Sequence, residues 1–232
     1  MTLPSVLIVP GAWHRPAHFH LLIDELADLD VHTVTLTSSG DDPATLRDMY
    51  ADADVIAQAV AAIDGPVVVV AHSYGGIPTT QGLPNARNVR HIIYVASFQL
   101  DVGESLLSQT PRGALAPWTE LRNRDGIDDF VEAMTPETVF FNDLDATTAA
   151  NAVSQIGYQS YSSMRQPLTE TAWKTIPNTY IVCDADNALP VAAQERMAKR
   201  ANDVYQLNTS HSPFLSQPAA LALLIRRSLA DV

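Results

Sequence analysis

Short continuous apolar runs alternate along this chain with longer amphipathic stretches, the pattern of a parallel sheet covered on both faces by helices. Val6 to Val9 reads as a buried strand, Ala17 to Leu29 as a helix with Phe19, Leu22, Ile23 and Leu26 at helical spacing, and Val31 to Leu36 as a β-branched strand. After the turn-rich Ser38 to Pro43, an alanine-rich helix is expected over Thr45 to Ile63, and Gly65-Pro66 punctuates before the strand Val67 to Ala71. A helix from about Ile77, strands at His91 to Ala96, Thr179 to Cys183 and Val204 to Leu207, and a closing helix Pro218 to Leu229 complete the alternation. The class is α/β: a mostly parallel central sheet of about six strands flanked by helices.

From about Leu100 to Ala172 the apolar runs disappear, and Pro, Asn, Asp and Thr accumulate around short helical patterns such as Ala146 to Ile156. This predicts a small helical cap, about 100–172, inserted between core segments 1–99 and 173–232 of one domain. Its expected place is over the sheet's carboxyl edge, where open α/β sheets bind ligands. A length of 232 residues with 47% hydrophobic and 17% charged composition suits a single globular unit and excludes a disordered or fibrous chain. The formal charge of -12 repels phosphate backbones and anionic headgroups, so neither nucleic acid nor membrane is an expected partner. Cys183, the single cysteine, forms no internal disulfide and suits a reducing, cytoplasmic setting. The start of the chain has no basic leader and its first apolar run is too short for secretion or insertion. A homodimer is one of the assembly states the sequence leaves open.

Strand Val67 to Val70 runs into Ala71-His72-Ser73-Tyr74-Gly75-Gly76 and then a helix, the context of a nucleophile elbow. A serine there needs a histidine to take its proton and an acid to orient that histidine, in the chain order serine, acid, histidine. Asp184-Ala185-Asp186-Asn187 follows the fifth strand and Thr209-Ser210-His211-Ser212-Pro213-Phe214 the sixth, both on loops at the carboxyl edge. The catalytic candidates are therefore Ser73, His211 and an aspartate. Asp186, two residues into the loop, is favoured over Asp184 directly after the strand, with Asp101 a distant third. An oxyanion needs two backbone N–H donors. They are expected from Tyr74, after the nucleophile, and from Ala12 in the loop Val9-Pro10-Gly11-Ala12-Trp13-His14.

His14, His18 and His20 lack a carboxylate at ligand spacing, so no metal and no cofactor are expected. His72 is expected to pack under the elbow, and Cys183 to be a core thiol. Trp13, His14, Phe98, Trp118, Tyr158, Tyr161 and Met164 are the candidates for an apolar acyl or alcohol pocket.

At these four segments, and at Phe140-Phe141-Asn142-Asp143 in the cap, the chain resembles the α/β-hydrolase superfamily. The resemblance covers nearly the whole chain and points to the branch of plant methylesterases of the salicylate-binding type, hydroxynitrile lyases and their bacterial esterase relatives. It implies an α/β-hydrolase fold without the early antiparallel strands, the triad acid at Asp186 and oxyanion donors at Ala12 and Tyr74. Pro10 stands where that branch usually has a histidine, and Ala71 where it usually has glycine. The implied activity is hydrolysis of small carboxylic esters through an acyl-enzyme, with a small-molecule ester as the partner. A hydroxynitrile-lyase-like enzyme and a catalytically silent small-molecule binder are the alternatives. The resembling lyases carry a lysine after the catalytic histidine and a threonine at the position of Gly11; here Ser212 and Gly11 occupy those places.

Overall fold

The computed structural model describes residues 3–229. In chain order its strands are β1 (Ser5–Val9), β2 (Val31–Thr33), β3 (Ser39–Gly40), β4 (Val67–His72), β5 (Val89–Val95), β6 (Thr119–Arg124), β7 (Ile127–Ala133), β8 (Tyr158–Ser160), β9 (Asn178–Cys183) and β10 (Asp203–Leu207). Six of them form one sheet in the order β10-β9-β5-β4-β1-β2, and every pairing in it is parallel. Val6 to Val9 and Val67 to Val70 are buried on both faces, which is why they read as unbroken apolar runs rather than alternating ones.

The helix Met49–Ala61 begins where the Asp48 carboxylate accepts the Ala51 amide at 2.9 Å, and it buries Ala53, Ile56 and Val60. The closing helix Pro218–Leu229 lies on the opposite layer and turns Leu221, Ala222 and Ile225 inward. Among the described residues, no helix is long and apolar enough to cross a membrane.

Several elements depart from the sequence expectation. The helix expected over Ala17 to Leu29 is a 3-10 turn, Pro16–Phe19, followed by a short α-helix, His20–Glu25, after which Leu29 bonds back to Leu26 in a closing turn. β2 stops at Thr33 because the chain leaves β1 after the Val34 amide reaches Ile8.

The larger difference lies in the inserted segment. It contains short helices, Pro136–Val139, Ala146–Val153 and Tyr161–Arg165, but its middle is an antiparallel hairpin, β6 and β7, turning at Asp125-Gly126. With β8 and β3 this hairpin forms a second sheet in the order β3-β8-β7-β6, so the cap is mixed rather than helical. Polar pairs cross the hairpin, Arg122 with Glu132 at 2.5 Å and Asn123 with Asp129 at 2.6 Å, and its strands therefore lack the apolar signature of the main strands.

Candidate active site

β4 delivers the chain into a tight turn, Ser73–Gly75, and then the helix Gly76–Gly82. Ser73 sits at φ 52°, a left-handed conformation that costs a non-glycine residue about 1–3 kcal/mol. Its carbonyl is held there by the Phe98 amide at 3.1 Å and the Ser97 hydroxyl at 2.7 Å. The turn also needs its glycine. A Cβ on Gly75 would fall on the Pro10 carbonyl oxygen, so only a bare backbone lets the helix pass the loop after β1. A Cβ on Gly11 would lie 2.7 Å from Ser73 Cβ and 2.8 Å from His72 Nδ1, which shows how closely that loop approaches the elbow.

The loop after β9 buries Asp186 and leaves Asp184 exposed. Asp186 Oδ1 accepts the amides of Ala188 (2.7 Å) and Leu189 (2.9 Å), while Oδ2 accepts Gln194 Nε2 (2.9 Å) and His211 Nδ1 (2.7 Å). These bonds fix the carboxylate plane. They also set the histidine tautomer, because the proton on Nδ1 leaves Nε2 with its lone pair. Asp101 is engaged elsewhere, 2.5 Å from Lys174 Nζ.

The His211 loop is anchored from both sides. His72 Nε2 donates to the His211 carbonyl at 2.9 Å. Asp143 accepts the Ser210 amide (2.8 Å) and the Thr209 hydroxyl (2.9 Å), and Asn142 donates to the Ala185 carbonyl at 3.1 Å. The Phe140–Asp143 segment thus ties the cap to both the acid loop and the histidine loop. Burial pushes the Asp143 carboxyl up, but its hydrogen bonds to the Ser210 amide and neighbouring hydroxyls outweigh this and leave it below the usual range.

Beneath His211 the His14 and His72 rings pack edge to face with Phe140, Phe141 and Phe214, and His18 meets His14 edge-on and stacks on Phe141. Burial holds all three imidazoles below their ordinary range, and the His14 and His72 rings well below it, His14 helped by His18 and His211 and His72 by His211, His14 and His18. His14 Nδ1 donates to Ala12 O at 2.9 Å and His18 Nε2 to Ala152 O at 3.0 Å. His20 is exposed and bonds its own turn. Among the described residues, no three His, Cys, Asp or Glu side chains are placed to hold a metal ion. Burial raises the Cys183 thiol well above its usual range, in keeping with a core residue.

A cavity of about 560 Å³ brings Ser73, His211, Ala12 and Tyr74 together at the carboxyl edge of the sheet. Of the expected pocket residues, Trp13, Phe98, Trp118 and Met164 line it. Three do not. His14 lies under the floor in the imidazole cluster, Tyr158 packs edge-on against Phe130 at 5.0 Å beside a separate open depression, and Tyr161 lies beneath Arg165. The walls missed from sequence come from the loop between Leu106 and Pro117, from Phe140, and from Asn187 to Ala193. Trp13, Trp118 and Phe140 form one aromatic wall, with ring centroids 5.2 to 5.7 Å apart. Among the described residues, His211 is the one imidazole at the cavity and no Asp, Glu, Lys or Arg lines it, while the Tyr74 hydroxyl is engaged by Asp52 at 2.8 Å.

A sequence profile of the alpha/beta hydrolase family matches residues 6–222. The chain belongs to that family. It is 32% identical to the alpha/beta hydrolase nvfD of Aspergillus novofumigatus, over all of this chain and 98% of that one. It is 30% identical to a probable hydrolase of a Phoma species, over 97% of this chain and 98% of that protein. Among solved structures, a methylesterase from Arabidopsis superposes with a TM-score of 0.82 at 18% identity, covering 99% of this chain and all of that one. A pyrethroid hydrolase from Sphingobium faniae superposes at 0.80 with 22% identity, covering 99% and 98%. At these identities the structural likeness establishes the α/β-hydrolase fold, with its central sheet of six strands and flanking helices.

Proposed function

We propose that this α/β hydrolase is a serine carboxylesterase that cleaves small-molecule carboxylic esters through an acyl-enzyme. The observation that carries the reading is that Ser73, held at φ 52° after β4, shares one cavity with His211, whose Nδ1 is anchored on Asp186 at 2.7 Å.

In this mechanism Ser73 Oγ attacks the ester carbonyl while His211 Nε2 accepts its proton. Asp186 stabilises the imidazolium that forms. The Ala12 and Tyr74 amides bind the oxyanion, each contributing about 3 kcal/mol to the transition state. Collapse of the tetrahedral intermediate transfers the proton from His211 to the leaving alcohol. Water, activated by the same imidazole, then releases the acid. No cofactor takes part in any step.

The test combines a fluorophosphonate label with Ser73→Ala. The label should attach to Ser73, and the variant should lose hydrolysis of p-nitrophenyl acetate by on the order of a million-fold while folding normally. A folded alanine variant that keeps a tenth of the activity would remove Ser73 from the mechanism.

A further inference from the structure

We propose that Gln159, backed by Ser38 and Asp52, is a positioning residue that holds both halves of the oxyanion hole, so that the cap sheet is part of the catalytic framework. The inference rests on the esterase reading and on Ala12 and Tyr74 as donors.

Trp13 directly follows the Ala12 donor and sits at φ 63°, a strained position for an aromatic residue. Such a conformation persists only where surrounding structure over-determines it. Among the described residues, the hydrogen bonds that hold Trp13 come from the cap. The Gly157 amide donates to the Trp13 carbonyl at 3.1 Å, and the indole Nε1 donates to the Val131 carbonyl at 2.9 Å. The Trp13 amide points at Gln159 Oε1, 3.4 Å away.

Gln159 is fully buried, and its amide nitrogen is committed to two hydroxyls, Ser38 and Ser163, each at 2.8 Å. Those bonds fix which end of the amide faces Trp13. Ser38 in turn donates to Asp52 Oδ2. The Tyr74 hydroxyl donates to the same oxygen at 2.8 Å. Asp52 Oδ1 is saturated by the Thr37 amide (2.6 Å), the Thr37 hydroxyl (2.9 Å) and the Ser38 amide (3.0 Å), so this carboxylate is a fixed post rather than a mobile group. The chain of contacts therefore runs from Trp13 through Gln159, Ser38 and Asp52 to Tyr74. It joins the residue after one donor to the side chain of the other.

Oxyanion donors act only when already aimed at the place where charge develops, and a misplacement of about 1 Å costs on the order of a hundred-fold in rate. Gln159, Ser38 and Asp52 do not line the cavity, so the network has no direct hold on the substrate. Its loss should be read in kcat rather than KM.

The experiment compares wild type, Gln159→Leu and Tyr74→Phe on p-nitrophenyl acetate, together with inhibition by an aryl trifluoromethyl ketone, whose hemiketal oxygen stands in for the oxyanion. The variants should show kcat lowered by about ten- to a hundred-fold with KM nearly unchanged. The inhibition constant should rise in parallel with KM/kcat, and the pH profile of kcat/KM should keep its wild-type midpoint. Should Gln159→Leu fail to fold, Tyr74→Phe, which removes a single hydroxyl, carries the same comparison. Folded variants with wild-type kcat and wild-type inhibition overturn this proposal alone. A wild-type protein that neither hydrolyses the ester nor binds the ketone overturns the esterase reading and this inference with it.

Discussion

Gln194 Nε2 and His211 Nδ1 converge on the same carboxylate oxygen of Asp186, at 2.9 and 2.7 Å. Gln194 cannot turn away, because its Oε1 accepts the Cys183 amide at 3.0 Å. The acid is therefore oriented before any substrate arrives. Asp186→Asn should lower kcat by about ten-thousand-fold through the wrong histidine tautomer. Asp184→Asn should stay near wild type, and Gln194→Leu should fall between them. The reverse ranking of the two aspartates in a kcat comparison would reassign the acid.

The buried histidines predict acid lability. In the folded protein His14, His18 and His72 are held below their ordinary range, mainly by burial, whereas in the unfolded chain they titrate near pH ~6.5. Below that pH the unfolded state takes up protons that the native state refuses. Their contribution is thus complete above pH ~6.5 and lost as pH falls below it, at up to about 1.4 kcal/mol per pH unit for each imidazole. Asp52 shifts in the opposite sense, its carboxyl pushed up by burial, and subtracts at most one proton from that slope. Urea midpoints measured from neutral to mildly acidic pH should fall steadily; a flat profile would contradict the assignment.

The cavity should select uncharged esters. No Arg, Lys, Asp or Glu lines it, and an unpaired charge buried there costs several kcal/mol. An aryl ester should lose at least about a hundred-fold in kcat/KM when a remote carboxylate or ammonium replaces a methyl group of similar size. Equal kcat/KM for the charged and neutral members of such a pair would show that the aromatic wall does not contact the substrate.

Cyanohydrin cleavage should be absent. Ser212 is buried, lies 3.5 Å from His14 Nε2 and supplies no cation for a departing cyanide, which would face a desolvation penalty. A side chain at Gly11 would collide with Ser73 and His72, so a threonine hydroxyl has no place beside this nucleophile. Mandelonitrile at mildly acidic pH should release cyanide no faster than the uncatalysed background. Enzyme-dependent release that vanishes in Ser73→Ala would move the protein to the lyase branch.

What the sequence made legible follows from burial. β1, β4 and β9 are covered on both faces, so their apolar runs mark their ends to within one residue and place Ser73 and Asp186 on the loops beyond β4 and β9; His211 follows β10, an edge strand that is only partly buried. The β6–β7 hairpin gives no such signal because β6 is largely exposed and carries charged and polar residues, with Arg122 paired across to Glu132. Its one local signal was Asp125-Gly126, with Gly126 at φ 77°, a turn suited to two paired strands. Tyr158 misled for a related reason. Along β8 successive side chains face opposite ways, and it is polar Gln159 that points inward while Tyr158 is only partly buried. Asp52 looks like a solvated charge on an alanine-rich helix; its donors, Thr37 and Ser38, come from a loop no helical periodicity could connect to it.

The uncharged cavity has a further effect once the ester bond is broken. On the esterase reading, the acid formed there would ionise at neutral pH, yet no guanidinium or ammonium lines the walls to retain it, and the chain as a whole carries -12. The field of such a protein drives an anion outward. Departure of the carboxylate would then be favoured, and initial rates should stay unchanged when the product acid is added to the medium.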